Sequence, residues 1–488
     1  MRGRTRATRV RPWAPGVLAI IASAPLASCA PACGVRAPSA AQPVYRYTIA
    51  PPPAGSFLLH VEATLEQSPS DRLVAPEAHG SLVDAALVGS SGVSPLKRDR
   101  DAFVAPACRS RCTIRYTLDL DELASSCHWM DCERRVGDSM FGRASAFMLR
   151  PETAGDAVFE VNVVGPDKER FATGLRGARD HFSFKASALG EASFTAFGEI
   201  RRGTLDFPNA RMEVVFLGSP LAMGDAAALE FIRLSALRIV SLFGGFPVDA
   251  TVFVVPVPRA REVVFGRVLS LAGASVALLF GDETPASGVG DNWVVVHELF
   301  HLGCPSFVGE GRWLEEGLAT YYEPILRERA GWMTEAALWT HFVREMPRGL
   351  RRSEDPPSLE DRDDIDSTYW GGALYALLAD VQSRAATGNA HSLDDVVRLM
   401  RRRVGSATSM ARLTDFLRTA EEATGAREAS AVYDSWAVRG ENVDLEALWA
   451  RLGIGGVEDA LTQGAPVRLR DDAPLASVRR AIAASAPH

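Results

Sequence analysis

Two histidines four residues apart, with a glutamate directly after the first, are the residues of this chain best suited to chemistry. They are His297, Glu298 and His301, in the string HELFH. Positions i and i+4 share a helix face, so the two imidazoles can point at one metal ion. Glu298 is offset by one residue and is poorly placed as a ligand, but it can reach a water on the metal. This arrangement is typical of hydrolysis by a zinc-activated water, in which zinc lowers the water pKa to about 7 and a carboxylate accepts the proton.

The alternative interpretation of HELFH is a pair of helix-face histidines beside a solvent-exposed glutamate. Nine histidines in 488 residues give a chance match to this motif odds on the order of 1%. Asp291 or Asn292 can cap a helix that runs through WVVVHELFHLG to a stop at Gly303. The valines before the motif and the Leu-Phe pair inside it predict that this helix is buried. Buried imidazoles and a buried carboxylate need partners, which a metal would supply.

A catalytic zinc site uses three protein ligands and keeps one position open, so a third ligand is needed from a nearby element. The stretch 313–329, WLEEGLATYYEPILRER, predicts a second helix that ends or kinks at Pro324. A short turn before it would let this helix pack back on the first. Either Glu315 or Glu316 can then face the metal, but only one, because adjacent residues lie about 100° apart on a helix. The alternative is that both are solvent-facing charges.

HELFH followed by WLEEGLATYYE resembles the gluzincin metallopeptidases. The resemblance implies that the glutamate directly before the glycine, Glu316, is the third ligand, and that Glu315 occupies a variable position. It also implies a supporting role behind the ligands for Glu323. The segment TYWGGALYALLADVQSR is similar to the Y-x-x-G segment of the same clan. By that similarity Tyr369 would stabilise the oxyanion, since a phenol can donate a hydrogen bond to developing negative charge.

Within the gluzincins the chain most resembles the glycyl aminopeptidase family. That resemblance implies an N-terminal β-domain, a thermolysin-like catalytic core and a helical C-terminal part, often followed by a PDZ domain. Only 32 residues follow Gly456, so we expect no PDZ domain. The segment VFGRVLSLAGASVALLFG before HELFH lacks the acidic residue that such aminopeptidases place near the substrate amine. Its AGASVALLF part is expected to be the edge strand that pairs with an extended peptide.

The hydrophobic patterns predict a multidomain α+β protein. Apolar alternation in segments such as SFLLHVEATLE and TIRYTLDL predicts a β-sandwich-like domain over residues 45–207. Residues 208–330 are expected to form the thermolysin-like α/β catalytic domain. Helical periodicity predicts a helical C-terminal part of the catalytic unit over 331–456. The tail, 457–488, is rich in alanine and arginine and is expected to pack poorly.

The N-terminus has the pattern of an export signal. MRGRTRATRVRPW carries five arginines and no acid, and a short apolar stretch follows it. The stretch ends in LASC, which resembles a bacterial lipobox. We therefore expect a lipoprotein signal peptide at 1–28, lipidation of Cys29 and a flexible tether over 29–44. The protein would then be an exported bacterial membrane lipoprotein facing the periplasm or the cell exterior. The alternative is a plain signal peptide with a chance cysteine.

Four of the seven cysteines cluster within a short stretch, and an exported chain passes through an oxidising compartment. Disulfides are therefore expected among Cys108, Cys112, Cys127 and Cys132. The alternative is a zinc knuckle, although the spacings C-x3-C and C-x4-C are looser than usual. The net charge is −7 and no basic stripe is present outside the N-terminus and one short run. Nucleic acid is therefore not an expected partner.

The sequence alone leaves two main functions, and a zinc hydrolase acting on a non-peptide amide cannot be separated from the first of them. The first is a membrane-tethered zinc metallopeptidase acting on a peptide or protein substrate. Zinc would be held by His297, His301 and Glu316, with Glu298 as general base and Tyr369 stabilising the oxyanion. The second is a non-catalytic surface lipoprotein that keeps the peptidase fold as a binding scaffold. Cleavage at chain ends or within chains, and the oligomeric state, stay open.

Overall fold

A computed structural model describes residues 42–78, 80–125, 132–178, 180–287, 290 and 292–484. The predicted signal peptide, the lipidation site Cys29 and most of the predicted tether lie outside the described residues, as does Cys127. In the described part, no helix has the length and apolar character needed to span a membrane.

The N-terminal region is built from strands, as its alternating sequence predicts. In β2, for example, Leu59, Val61, Ala63 and Leu65 are buried, while the residues between them are less so. The strands form one eight-stranded sheet in the order β14-β15-β12-β1-β2-β8-β4-β5 and two four-stranded sheets. Their bounds are β1 Val44–Ala50, β2 Leu58–Glu66, β3 Arg72–Val74, β4 Leu82–Gly89, β5 Gly92–Pro95, β6 Lys97–Asp99, β7 Ala102–Val104, β8 Arg111–Asp119, β9 Arg134–Val136, β10 Ser139–Arg143, β11 Arg150–Pro151, β12 Val158–Val163, β13 Phe171–Thr173, β14 Gly177–Ala178, β15 His181–Lys185 and β16 Phe194–Gly198.

The cysteines of this region form disulfides. Cys108 and Cys112 are bonded to each other, and Cys132 is also disulfide-bonded. Cys304 is a buried free thiol in the helical region. The four-residue separation of Cys108 and Cys112 therefore belongs to a local disulfide loop rather than to a zinc knuckle.

A further, mixed sheet of five strands lies next to the HELFH helix. Its strands are β17 Ile200–Phe207, β18 Ala210–Leu217, β19 Ala250–Val257, β20 Val263–Leu269 and β21 Ala274–Gly281, in the order β17-β18-β19-β21-β20. β18, β19 and β21 run parallel, and β20 runs antiparallel to β21 at the edge. Because β17 pairs with β18, this sheet begins before the predicted domain boundary at residue 207.

The expectation that AGASVALLF is the edge strand is wrong. These residues form most of β21, which lies between β19 and β20 and is buried along its whole length. Such a continuous apolar run is typical of a strand covered on both faces. The edge strand is the preceding segment VVFGRVL, β20, most of whose residues are partly exposed.

In the described sequence, all helices except α1 and α2 come after this five-stranded sheet. They are α1 Leu120–Ser125, α2 Asp225–Phe243, α3 Val294–His301, α4 Arg312–Arg329, α5 Glu335–Glu345, α6 Gly372–Ala386, α7 Leu393–Arg403, α8 Leu413–Thr424, α9 Glu428–Val432, α10 Leu445–Leu452, α11 Val457–Gln463 and α12 Ala476–Ala483. Two short strand pairs join β22 Ser306–Phe307 to β23 Met410–Ala411 and β24 Ile454–Gly455 to β25 Arg468–Leu469. α4 does not end at Pro324, one of the two outcomes that the sequence predicts, but continues through it to Arg329. Its core-facing side is buried on both sides of the proline, so tertiary packing outweighs the proline penalty.

Buried polar bonds tie α4 to α6 and α7. The Tyr321 hydroxyl donates to Asp380 at 2.7 Å, and the Tyr322 hydroxyl donates to Asp394 at 3.0 Å. Asp380 also accepts from Arg384 at 3.0 Å and from the backbone N–H of Leu393. A buried carboxylate is tolerated only when paired in this way. The network therefore fixes the three helices relative to one another.

The tail expectation is also wrong for the described residues up to 484. Arg479 on α12 is 1% exposed and forms ion pairs with Glu335 on α5 and with Asp471. Arg329, at the end of α4, donates to the carbonyl of Ile482. Val478 and Ile482 also join the hydrophobic core. Scattered apolar residues and paired arginines therefore anchor this segment, which its composition alone does not reveal.

We expect Asp380→Ala to lower the free energy of unfolding by about 3–5 kcal/mol, because Arg384 is left as an incompletely paired buried charge. Urea unfolding followed by circular dichroism measures the change. The matched control is Glu441→Ala, which removes an ion pair with Arg439 whose two side chains are each 56% exposed, so it should change stability by less than about 1 kcal/mol. Equal effects of the two substitutions would contradict the structural role assigned to Asp380.

Candidate metal centre

Asn292 fixes the start of the HELFH helix, α3. Its side-chain oxygen accepts from the N–H of Val294 at 3.1 Å, and its side-chain nitrogen donates to the carbonyl of Val263 on β20 at 3.2 Å. The sequence predicts that either Asp291 or Asn292 caps this helix. Asp291 lies outside the described residues. One amide therefore satisfies a free helix N–H and links α3 to the edge strand.

α4 packs back against α3 and carries the second half of the motif. Its start is held by Glu360, which accepts from the N–H of Gly311 and from the indole N–H of Trp313. Gly317 lies against the backbone of Gly372 at the start of α6, and a Cβ at this position would overlap that backbone. The glycine after Glu316 is thus required by the close approach of α4 and α6.

His297, His301 and Glu316 converge on one point. The Nε2 atoms of His297 and His301 lie 3.2 Å and 3.4 Å from the same Glu316 oxygen, Oε2. One ligand atom from each residue lies within 4.8 Å of the others. Ligands bound at 2.0–2.1 Å with tetrahedral angles are separated by about 3.3–3.4 Å. The two nitrogens and one oxygen therefore fit a divalent ion that accepts imidazole and carboxylate ligands, as zinc does.

The charges of the cluster are strongly coupled. Burial works against a charge on His301, but the Glu316 carboxylate outweighs it and raises the pKa of His301 to about 9. Burial likewise disfavours the Glu316 carboxylate, yet the His301 charge and the two imidazole hydrogen bonds hold the pKa of Glu316 well below its usual range. The cluster thus stabilises positive charge next to Glu316, which a metal dication would supply in place of a proton.

Glu315, the neighbour that the sequence could not separate from Glu316 by spacing, makes a different contact. Its carboxylate accepts from the backbone N–H of Phe307 on β22. Burial raises the pKa of Glu315 to about 7. It is half-buried rather than solvent-facing, and it stabilises the turn between α3 and α4 instead of joining the three converging ligand atoms.

Glu298 lies against the edge strand. Its side chain fills the space where Gly266 of β20 has no Cβ, and a Cβ there would overlap it. Burial raises the pKa of Glu298 to about 7, and the charge of Glu316 adds to this effect. A carboxyl group whose pKa lies near neutrality is suited to accept and release a proton.

A π-helical turn, Ser367–Gly371, presents Tyr369 at the start of α6. Such turns are frequent at functional sites. The Tyr369 ring stacks on the His297 ring with centroids 5.9 Å apart and planes 10° apart. Burial, and then the charges of Glu316 and Glu298, raise the pKa of Tyr369 above its ordinary value. The phenol therefore stays protonated and can act as a hydrogen-bond donor beside the cluster.

Glu323 lies one step further from the cluster. It pairs with Arg327 at 2.7 Å, and Arg327 donates to the carbonyl of Gly290 at 3.0 Å. Burial raises the pKa of Glu323 to about 7. Its described contacts support the segment leading into α3 rather than the ligand side chains themselves.

Two features of the site were missed in the sequence. Gly266 makes room for Glu298, and only the strand order of the sheet reveals this contact. Trp293 contacts the ring of His297 with centroids 5.3 Å apart and planes at 88°. Its spacing of four residues before His297 is a signal that could have identified it, since i and i+4 share a helix face.

No protein-family model and no curated protein sequence matches the chain. Among solved structures, it is similar to an aminopeptidase N family protein from Idiomarina loihiensis, with a TM-score of 0.64 and 17% identity over 84% of this chain and 78% of that one. It also aligns with an M1 zinc metallopeptidase from Deinococcus radiodurans, with a TM-score of 0.47 and 14% identity over 82% and 94% of the two chains. The first similarity shows that the chain has the fold of that aminopeptidase N family protein, and the second score is too low to add to it.

We expect the purified protein, after zinc has been offered and excess removed, to hold close to one zinc per chain. His301→Ala and Glu316→Gln should lose it, because each removes one of three convergent ligands. Glu315→Gln is the matched control, since an amide oxygen can still accept from Phe307, and it should keep the metal. Plasma mass spectrometry measures the content. Zinc loss in Glu315→Gln but not in Glu316→Gln would exchange the roles of the two residues, and no zinc in the wild type would refute the site.

Proposed function

We propose that this protein is a zinc-dependent metallopeptidase that hydrolyses peptide bonds with Glu298 as general base. The observation that carries the proposal is the convergence of His297, His301 and Glu316 next to a buried carboxyl and a protonated phenol. The aminopeptidase N-like fold supports the same conclusion. A metal site with three protein ligands leaves one position for water or substrate.

Each side chain has a distinct role in the proposed reaction. Zinc held by the three ligands would lower the pKa of a water molecule and polarise the scissile carbonyl. Glu298 accepts the proton that the attacking water releases and delivers it to the leaving amine as the C–N bond breaks. Tyr369 donates a hydrogen bond to the negative charge that develops on the carbonyl oxygen. Gly266 leaves space for the Glu298 side chain beside the edge strand β20.

The finer parts of the proposal come from the sequence resemblance. We assign the core to the thermolysin-like type and the chain to the neighbourhood of the glycyl aminopeptidases. The lipobox-like LASC supports export and attachment to a bacterial membrane through Cys29. β20 takes the place of AGASVALLF as the strand that pairs with an extended peptide, because it forms the edge of the sheet.

The second candidate is a non-catalytic surface lipoprotein that uses the same fold as a binding scaffold. A scaffold has no need of a general base, yet Glu298 is kept buried at a cost and beside the ligands. Burial also raises the pKa of Glu315 and Glu323 to about 7, as it does for Glu298, but each of these two has a structural contact, whereas Glu298 lies between the ligands and the edge strand. We therefore favour the peptidase.

We expect Glu298→Gln to abolish hydrolysis of a peptide library, because an amide cannot accept the proton released by water. Its zinc content should match the wild type, since Glu298 is not among the three ligands. Mass spectrometry of the peptide products measures the activity. Glu441→Gln, on the exposed surface, is the control and should keep full activity. Undiminished hydrolysis by zinc-loaded Glu298→Gln would refute the proposed base.

Tyr369→Phe should lower kcat by roughly 100-fold to 1000-fold with little change in KM, because the lost hydrogen bond acts mainly in the transition state. Steady-state kinetics on one cleaved peptide separates the two constants. The matched control is Tyr433→Phe, whose ring stacks on Trp313 with centroids 6.4 Å apart, and it should change kcat by less than about threefold. An increase in KM alone would instead assign Tyr369 to substrate binding.

A further inference from the structure

Trp293 is an exposed tryptophan beside the metal ligands. It is 48% exposed, although an indole is among the largest apolar groups that a protein can bury. It stands immediately before α3, four residues ahead of His297. Aromatic side chains beside a few convergent polar groups are typical of ligand-binding sites.

The indole lies beside the metal ligands and contacts the ring of His297. Trp293, His297 and His301 follow one another at four-residue intervals and so occupy one face of α3 and its first turn. The His297 ring is flanked edge-on by Trp293 and face-on by Tyr369. The Nδ1 atom of His297 has no hydrogen-bond partner among the described residues. Ring packing, rather than a second hydrogen bond, therefore orients this ligand.

Contacts of two residues just before Trp293 hold its backbone in place. Asn292, its neighbour, bonds the first turn of α3 and the carbonyl of Val263 on β20. Arg327 bonds the carbonyl of Gly290, and Gly290 lies against the Trp332 ring. The ring contact with His297 then orients the indole itself, which lowers the entropic cost of binding a side chain on it.

The edge strand brings a substrate within reach of this surface. An extended peptide that pairs with β20 directs alternate side chains to the helix face of the sheet. Gly266 on that face contacts Glu298. Asn292, the residue before Trp293, donates a hydrogen bond to Val263 on the same strand. We therefore expect a peptide whose scissile carbonyl faces Glu298 to bring a neighbouring side chain near the indole.

We propose that Trp293 forms a subsite for an aromatic or large aliphatic side chain next to the scissile bond, so that the substrate class is peptides with such a residue at that position. This inference rests on the proposed peptidase function. An apolar side chain gains by covering the exposed indole, through burial of both surfaces and through ring contacts. A small or charged side chain lacks this gain.

The test compares Trp293→Ala and Trp293→Phe with the wild type on matched peptides that differ only at one residue, Phe or Leu against Ser. In Trp293→Ala, the kcat/KM ratio of the Phe peptide to the Ser peptide should fall roughly tenfold to 100-fold. Trp293→Phe should keep most of the ratio. Leu461→Ala is the control, because Leu461 is 51% exposed on α11, and it should leave the ratio unchanged. An unchanged ratio in Trp293→Ala would refute the subsite.

A binding measurement separates this inference from the proposed function. Zinc-loaded Glu298→Gln, with and without Trp293→Ala, is titrated calorimetrically with the same peptides. If the wild type cleaves none of them, the peptidase proposal fails, and tighter binding of the Phe peptide that depends on Trp293 still supports the subsite. No binding, or binding indifferent to Trp293, overturns the subsite. Loss of zinc or equal loss of cleavage for all peptides in Trp293→Ala would show that the indole only positions His297, which also overturns it.

Discussion

The site depends on the contact between α4 and α6, where Gly317 meets the backbone of Gly372. Glu316 directly precedes the first glycine, and Tyr369 lies within one turn of the second. One close helix approach therefore sets the positions of the proposed third ligand and the phenol together. Alanine at both glycine positions would push the helices apart. The distances from Glu316 and from Tyr369 to His297 would then increase.

The buried hydrogen bonds from α4 to α6 and α7 oppose an electrostatic repulsion within the site. Glu298, Glu315 and Glu316 bring three carboxyl groups close to two imidazoles in a poorly solvated place, and such groups repel one another or neutralise. The raised pKa values of Glu298 and Glu315 record this cost. Helices held only by apolar packing could relax to relieve it. The bonds from Tyr321 to Asp380 and from Tyr322 to Asp394 oppose that relaxation, because their own geometry is lost if α4 moves.

Spacing and periodicity could predict the local elements, but the relations between distant segments came only from the family resemblance or were missed. Four-residue spacing is enough to place His297 and His301 on one face. Spacing cannot choose between Glu315 and Glu316, since the choice depends on the N–H of Phe307, a partner beyond the helix. AGASVALLF looked like an edge strand by position, but its unbroken apolar character belongs to an interior strand. The packing of α12 depends on Arg479, whose partners Glu335 and Asp471 no local pattern reveals.

Asn292 joins two parts of the site that would otherwise be independent. Its amide bonds the start of α3, which carries two proposed ligands, and the carbonyl of Val263 on the edge strand. Glu298 adds a second link, since its side chain fills the gap at Gly266. A shift of β20 relative to α3 would break the first link and force the second to overlap. The strand proposed to hold a peptide and the helix proposed to hold zinc are therefore fixed to each other, so that positioning of the scissile carbonyl needs no separate ordering step.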